Sequence, residues 1–259
     1  MSEQVYMTRD GAVATIVLNR PEKLNALNVA MYRRLRALLE ECHHDGGLRC
    51  VVIRGAGGRA FSVGADIGEF EATRSSAAKA REYAKVTHPA AAAIRSCRHP
   101  VVALIQGLCV GGGFGLANLC DIRVCGESSR FGVPIKRLGL VEGYDELEPI
   151  VRALGASATL EVLLTGDLLD ARAAQRAGIV NRVVPDDQVE AEAYAVAAKI
   201  AEGAPLAARW HKRFVYDLVE GKPLTEEEKD VSYHCFDTED FQIGYKAFLA
   251  KTTPRFVGR

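Results

Sequence analysis

An α/β fold followed by a helical C-terminal region is predicted by three features of this chain. Short runs of β-branched and apolar residues alternate with helical periodicities up to about residue 185. Beyond Pro185 the pattern is helical alone. In the middle, residues 101–121 (VVALIQGLCVGGGFGLANLCD) join a strand to a helix through a glycine turn. With 259 residues and 48% hydrophobic content, the chain can bury a large core. The expected organisation is a core over residues 1–185 and a helical region over 186–259, with no internal repeat and no low-complexity linker.

The elements follow in order. Val13–Leu18 is a strand. Asn28 is an N-cap for a helix whose Met31, Leu35, Leu38 and Leu39 share one face. His43 and His44 end it, where positive charge suits the helix dipole. Residues 50–54 form a strand, and a glycine loop follows. Residues 75–95, rich in alanine and charge, predict a helix. Val101–Ile105 is a buried strand, after which Phe114, Leu116, Ala117 and Leu119 recur at helical spacing. A further helix runs towards Pro149. Asp170 caps a short helix ended by Gly178, and residues 179–184 predict the last strand. Helices then continue to about Ala250, with breaks at Gly203-Ala204-Pro205 and Gly221-Lys222-Pro223.

Composition excludes several classes. Lys+Arg and Asp+Glu both number 33, so nothing draws the chain to nucleic acid or to a membrane surface. No apolar run approaches the ~20 residues of a membrane span. The N-terminal MSEQVYMTRDG is polar and short before the first strand, which predicts no targeting peptide and a cytoplasmic protein. Seven cysteines without a Cys-x-x-Cys pair argue against a disulfide scaffold or a zinc site, and no His-Glu-x-x-His occurs, so no metal is expected.

The glycine turn places bare N–H groups at a helix start, a place for an oxyanion or a phosphate. A P-loop would need Gly-Lys-Ser/Thr after its glycines, and Gly113-Phe114-Gly115 follows instead. A Rossmann fingerprint would need a third glycine at Asn118 and an early βαβ unit. What remains is an oxyanion site, or a turn that lets the helix pack closely on its strand.

A second segment, residues 49–70 (RCVVIRGAGGRAFSVGADIGEF), points to the oxyanion. Together the two segments resemble the crotonase superfamily, which includes enoyl-CoA hydratases and isomerases. The resemblance runs from Leu18-Asn19-Arg20-Pro21-Glu22-Lys23-Leu24-Asn25-Ala26-Leu27 through Leu164-Thr165-Gly166 and residues 177–185 (AGIVNRVVP) to Ala247-Phe248-Leu249-Ala250-Lys251. It implies a spiral of ββα units and an acyl-CoA substrate, coenzyme A being part of that substrate and no separate cofactor being needed. It makes the N–H groups of Ala65 and Gly112 the oxyanion hole for a thioester enolate. It sets Lys23, Ala26, Gly64, Asp66, Ile67, Gly111 and Ile135 against the substrate, and Lys251 against the CoA phosphate, in some relatives from a neighbouring subunit. It also implies a homotrimer or hexamer formed through the C-terminal helices, where Phe236, Phe241, Tyr245 and Phe248 supply apolar surface; packing onto the core is the other reading of these helices.

The acids depart from the hydratase pattern. Hydratases of this superfamily use two glutamates, and the matching positions here are Gly115 and Ile135. Neither side chain can do acid–base work. The replacement candidate is Glu142, between Val141 and Gly143, where a raised pKa would suit proton shuttling. Tyr144 and Asp145 stand in reserve. The alternative reading has Glu142 facing solvent or capping the next helix. Glu69 reads as a cap or ion-pair partner. The expected reaction is an isomerase-like proton transfer. A hydratase with atypical acid–base groups, another enolate reaction such as decarboxylation, and a non-catalytic acyl-CoA binder are the alternatives.

Overall fold

The computed structural model describes residues 3–221 and 223–259, so Met1, Ser2 and Lys222 of the second predicted helix break lie outside it. The strands are β1 (Val5–Asp10), β2 (Val13–Leu18), β3 (Cys50–Gly55), β4 (Ala60–Ser62), β5 (Val101–Ile105), β6 (Leu108–Val110), β7 (Ile122–Gly126), β8 (Arg130–Gly132), β9 (Leu169–Asp170) and β10 (Arg182–Val184). The helices are α1 (Val29–His44), α2 (Phe70–Arg74), α3 (Ala77–Ser96), α4 (Gly112–Leu119), α5 (Tyr144–Thr165), α6 (Ala171–Arg176), α7 (Val189–Glu202), α8 (Pro205–Glu220), α9 (Glu226–Asp230) and α10 (Glu239–Ala250).

The strands divide between two sheets. One has the order β1-β2-β3-β5-β7-β10 and the other β4-β6-β8-β9. The chain visits them alternately: β3, β4, then α2 and α3; β5, β6, then α4; β7, β8, then α5. That is the expected spiral of ββα turns. β3, β5 and β7 are parallel, as are β4, β6 and β8, because each turn of the spiral re-enters from the same end. The inner strands are buried on both faces, which explains their continuous runs of Val, Ile and Leu. One face packs on α1, α3 and α4; on the other, Val189, Ala193, Val196 and Ala197 of α7 meet Cys50, Val52, Val102, Leu104 and Val124. The sheet's second cover therefore comes from beyond residue 185.

Local signals match the structure where they are chemically specific. The Asn28 side chain accepts the Met31 N–H, Asp170 accepts that of Ala173, and the Glu69 carboxylate accepts the Val29 N–H at 3.0 Å. Gly178 ends its helix with φ +79°. The expected strand over 179–184 is shorter. Asn181 donates its N–H to the Arg123 carbonyl while its side-chain oxygen accepts the Arg123 N–H, so pairing begins only at Arg182. Ile179 and Val180 are buried without a strand. All seven cysteines are free thiols. Among the described residues, no helix is long and apolar enough to cross a membrane.

Candidate active site

Parallel pairing of β4 with β6 (Ala60 beside Leu108, Ser62 beside Cys109) brings the loops that leave them to one edge. These loops carry Ala65 and Gly112. Leu27 forms a parallel bridge with Ala65: its N–H donates to the Gly64 carbonyl at 2.7 Å and its carbonyl accepts the Asp66 N–H at 2.9 Å. In such a bridge the flanking residues bond across, and the N–H of Ala65 itself turns away from Leu27. Gly112 opens α4, where the first-turn N–H groups have no helical acceptor. A Cβ added to Gly112 would lie 3.3 Å from the Tyr32 hydroxyl and 3.7 Å from the Ala65 nitrogen, so the two donors share one small space.

The glycines here are required by close approach. Gly111 has φ +54° and ψ −128°, a conformation that side chains avoid. Gly64 has φ +86°, and a Cβ there would stand 2.6 Å from the Gly112 nitrogen. A Cβ on Gly113 would meet the Ser62 carbonyl at 2.2 Å.

The 20–27 segment latches this loop. Fully buried Asn25, at φ +57°, donates to the Ala60 carbonyl at 2.7 Å and the Ala56 carbonyl at 3.0 Å, while the Ser62 hydroxyl donates to the Asn25 carbonyl. Arg20 pairs with Asp66 at 3.0 Å and donates to the Ala26 carbonyl. Partial burial pushes the Asp66 carboxyl up, but the Gly68 N–H and Arg20 outweigh it and hold the group below its ordinary value. Asp66 thus spends its charge on the loop. Ala26 is buried behind the loop, whereas Lys23 and Ile67 are exposed at its rim.

Glu142 comes from the segment between β8 and α5. It is half-buried just before Gly143, the N-cap of α5, so it neither points freely to solvent nor caps that helix. Burial raises its carboxyl, Glu146 raises it further, and Arg74 opposes both. The Glu142 charge is felt at Tyr32, whose hydroxyl sits beside Gly112; burial, with Tyr83 next, raises the Tyr32 pKa well above its usual value. The reserve candidates are elsewhere: Tyr144 is 92% exposed, and Asp145 binds His88 Nδ1 at 3.0 Å while Glu146 takes Nε2 at 2.7 Å.

Gly115 faces open space, with nothing within 4 Å of an added Cβ. Ile135 packs half-buried against the core. Lys251 caps α10 in a left-handed conformation, exposed, with no ion pair among the described residues. Two surface clefts, of about 340 and 590 Å³, lie on other faces, beside Tyr194 and beside the C-terminal tail, and neither is lined by Ala65 or Gly112. Tyr32, Tyr83 and Arg74 escaped the sequence reading. Tyr32 follows Met31 on the buried face of α1 and looks like core, and nothing local connects it with Arg74 or Tyr83.

Known proteins share this fold. The family model for enoyl-CoA hydratase/isomerase matches residues 8–259. A probable enoyl-CoA hydratase of Mycobacterium bovis is 35% identical over 261 residues, covering 99% of each chain. A 2,3-dehydroadipyl-CoA hydratase of Escherichia coli is 34% identical over 262 residues and 100% of each chain. Among solved structures, an enoyl-CoA hydratase/carnithine racemase from Magnetospirillum magneticum superposes with a TM-score of 0.98 at 45% identity, covering 100% of this chain and 97% of that one. The chain belongs to the enoyl-CoA hydratase/isomerase family and has its crotonase fold.

Proposed function

We propose that this protein isomerises an enoyl-CoA thioester, with Ala65 and Gly112 as the oxyanion hole and Glu142 as the mobile acid–base group. The observation that carries the reading is the approach of the Ala65 and Gly112 backbones beside the Tyr32 hydroxyl, together with a half-buried Glu142 carboxyl whose pKa is raised by burial. Glu142 takes a proton from the α-carbon of a 3-enoyl thioester. The electron pair moves onto the thioester oxygen, where two fixed N–H donors meet the developing charge. One such donor is typically worth about 3–4 kcal/mol in the transition state. Return of the proton to the γ-carbon gives the 2-enoyl thioester, with no net proton exchanged. A carboxyl above its ordinary pKa is suited to both halves of this cycle.

Hydration is the second reading, favoured by the hydratase names of the relatives. Against it stand Gly115 and Ile135 at the positions that the resemblance assigns to two glutamates. The deciding experiment offers the protein a 3-enoyl-CoA and crotonyl-CoA separately. Conversion of the first to the 2-enoyl isomer, slowed about 10²–10⁴-fold in Glu142→Gln, is the expected result. Fast hydration of crotonyl-CoA with Glu142→Gln fully active would overturn it.

A further inference from the structure

Arg74, the last residue of α2, holds a charge that the fold does not use. Its guanidinium carbon lies 3.9 Å from the Tyr83 ring centroid and 4.6 Å from that of Phe70. Its Nε is buried without an acceptor, and among the described residues it forms no ion pair. The Tyr83 hydroxyl is buried with Arg74 and Tyr32 both near enough to act on it, yet it makes no well-formed hydrogen bond. Aromatic rings over a guanidinium exclude water from its faces and leave its edge donors to find a partner. Buried polar atoms without a well-formed partner are rare in folded chains, so Arg74 Nε and the Tyr83 hydroxyl at one place call for a group that completes them.

The position names the group. The Tyr83 and Tyr32 rings meet edge to face at 6.1 Å, and Tyr32 touches the space of the two oxyanion donors. Arg74 stacks on Tyr83, which in turn meets Tyr32, so two aromatic side chains link Arg74 to the oxyanion donors. Glu142 itself does not come within ion-pair distance of Arg74. A planar anion offering two oxygens is the natural complement of a guanidinium edge.

We propose that Arg74, assisted by the Tyr83 hydroxyl, binds a second carboxylate at the far end of the acyl chain, so that the substrate is the CoA thioester of a dicarboxylic acid. This rests on the acyl-CoA reading of the site but not on the reaction performed there. A CoA phosphate is the other source of such oxygens, and the test separates the two.

Calorimetric titration with unreactive saturated thioesters serves as the measurement. Glutaryl-CoA is compared with valeryl-CoA, and adipyl-CoA with hexanoyl-CoA, each pair matched in carbon number. At least one dicarboxylyl thioester should bind roughly tenfold or more tightly than its partner, the usual scale of a charge-assisted contact. Arg74→Leu should erase that preference and leave the affinity for valeryl-CoA and hexanoyl-CoA within about twofold, while Tyr83→Phe, which keeps the ring over Arg74, should reduce it in part. Equal affinity within both pairs overturns the proposal. So does an Arg74→Leu variant, folded by circular dichroism, that loses affinity equally for all four thioesters, since that marks a phosphate contact. Binding of valeryl-CoA and hexanoyl-CoA reports separately on the acyl-CoA reading.

Discussion

Gly64 backs directly onto the amide nitrogen of Gly112, close enough that a Cβ on Gly64 would stand 2.6 Å from it. Residues from two different turns of the spiral are thus in contact at the point where both loops offer a donor. The Gly64→Ala variant should lose stability, because φ +86° disfavours a side chain. It should also lose about 10²–10³ in kcat as the Gly112 N–H is displaced. Turnover and thermal unfolding of the purified variant check both, and parental kcat in Gly64→Ala would refute the oxyanion geometry.

Gly115 should behave in the opposite way. Its helical position faces open space, so Gly115→Ala should fold well and gain about 0.5–1 kcal/mol from helix propensity. Adding Glu at both Gly115 and Ile135 should introduce crotonyl-CoA hydration where the parent has little. Ultraviolet absorbance of the enoyl thioester follows that reaction directly. Parental hydration already matching the double variant would show that the two positions do not decide between the reactions.

Replacement of Glu142 by Gln should lower kcat by about 10²–10⁴ with a smaller effect on KM. As the proton acceptor, Glu142 must start ionised. Burial raises its carboxyl, so in the parent kcat/KM should fall as pH drops through a value above that of an ordinary glutamate. A pH profile flat down to pH 4 would exclude Glu142 as the base.

His99 should set the acid stability. Its ring is fully buried, and burial, followed by repulsion from Arg209 and Arg98, lowers its pKa from 6.5 to about 4. Between those values the unfolded chain holds a proton that the folded chain refuses, so its contribution to stability is complete above pH 6.5 and is lost as pH falls towards 4. Denaturant unfolding at pH 7 and pH 5 should show the decline, and His99→Gln should flatten it. An equal decline in the variant would assign the effect to other groups.

Assembly should occur through the C-terminal face. Phe248 is 83% and Leu249 74% exposed on α10, with Tyr245 and Phe241 beside them. Light scattering should give a multiple of three protomers, and Phe248→Glu should shift it towards smaller species. Lys251→Ala should raise the Kd for acyl-CoA without changing the assembly. A monomeric parent refutes the first claim, and unchanged affinity the second.

The sequence by itself determined the alternation of elements, the caps at Asn28 and Asp170, the family, and the two glycine loops. These signals are local: periodicity, a capping side chain, or glycine where no Cβ fits. Even so, residues 179–184 show the limit of periodicity, since the apolar Ile179 and Val180 are buried without joining a strand because Asn181 bonds sideways to Arg123. Glu142 could be nominated by its neighbours, but whether it faced solvent was decided by the fold, which half-buries it. Asp66 carries the opposite lesson: adjacent to Ala65 in sequence, it turns back to Arg20. The meeting of Tyr32 from α1, Arg74 from α2 and Tyr83 from α3 belongs to tertiary structure alone. Convergence of side chains from separate helices depends on how those helices cross, and each residue's own neighbours in sequence do not encode that crossing.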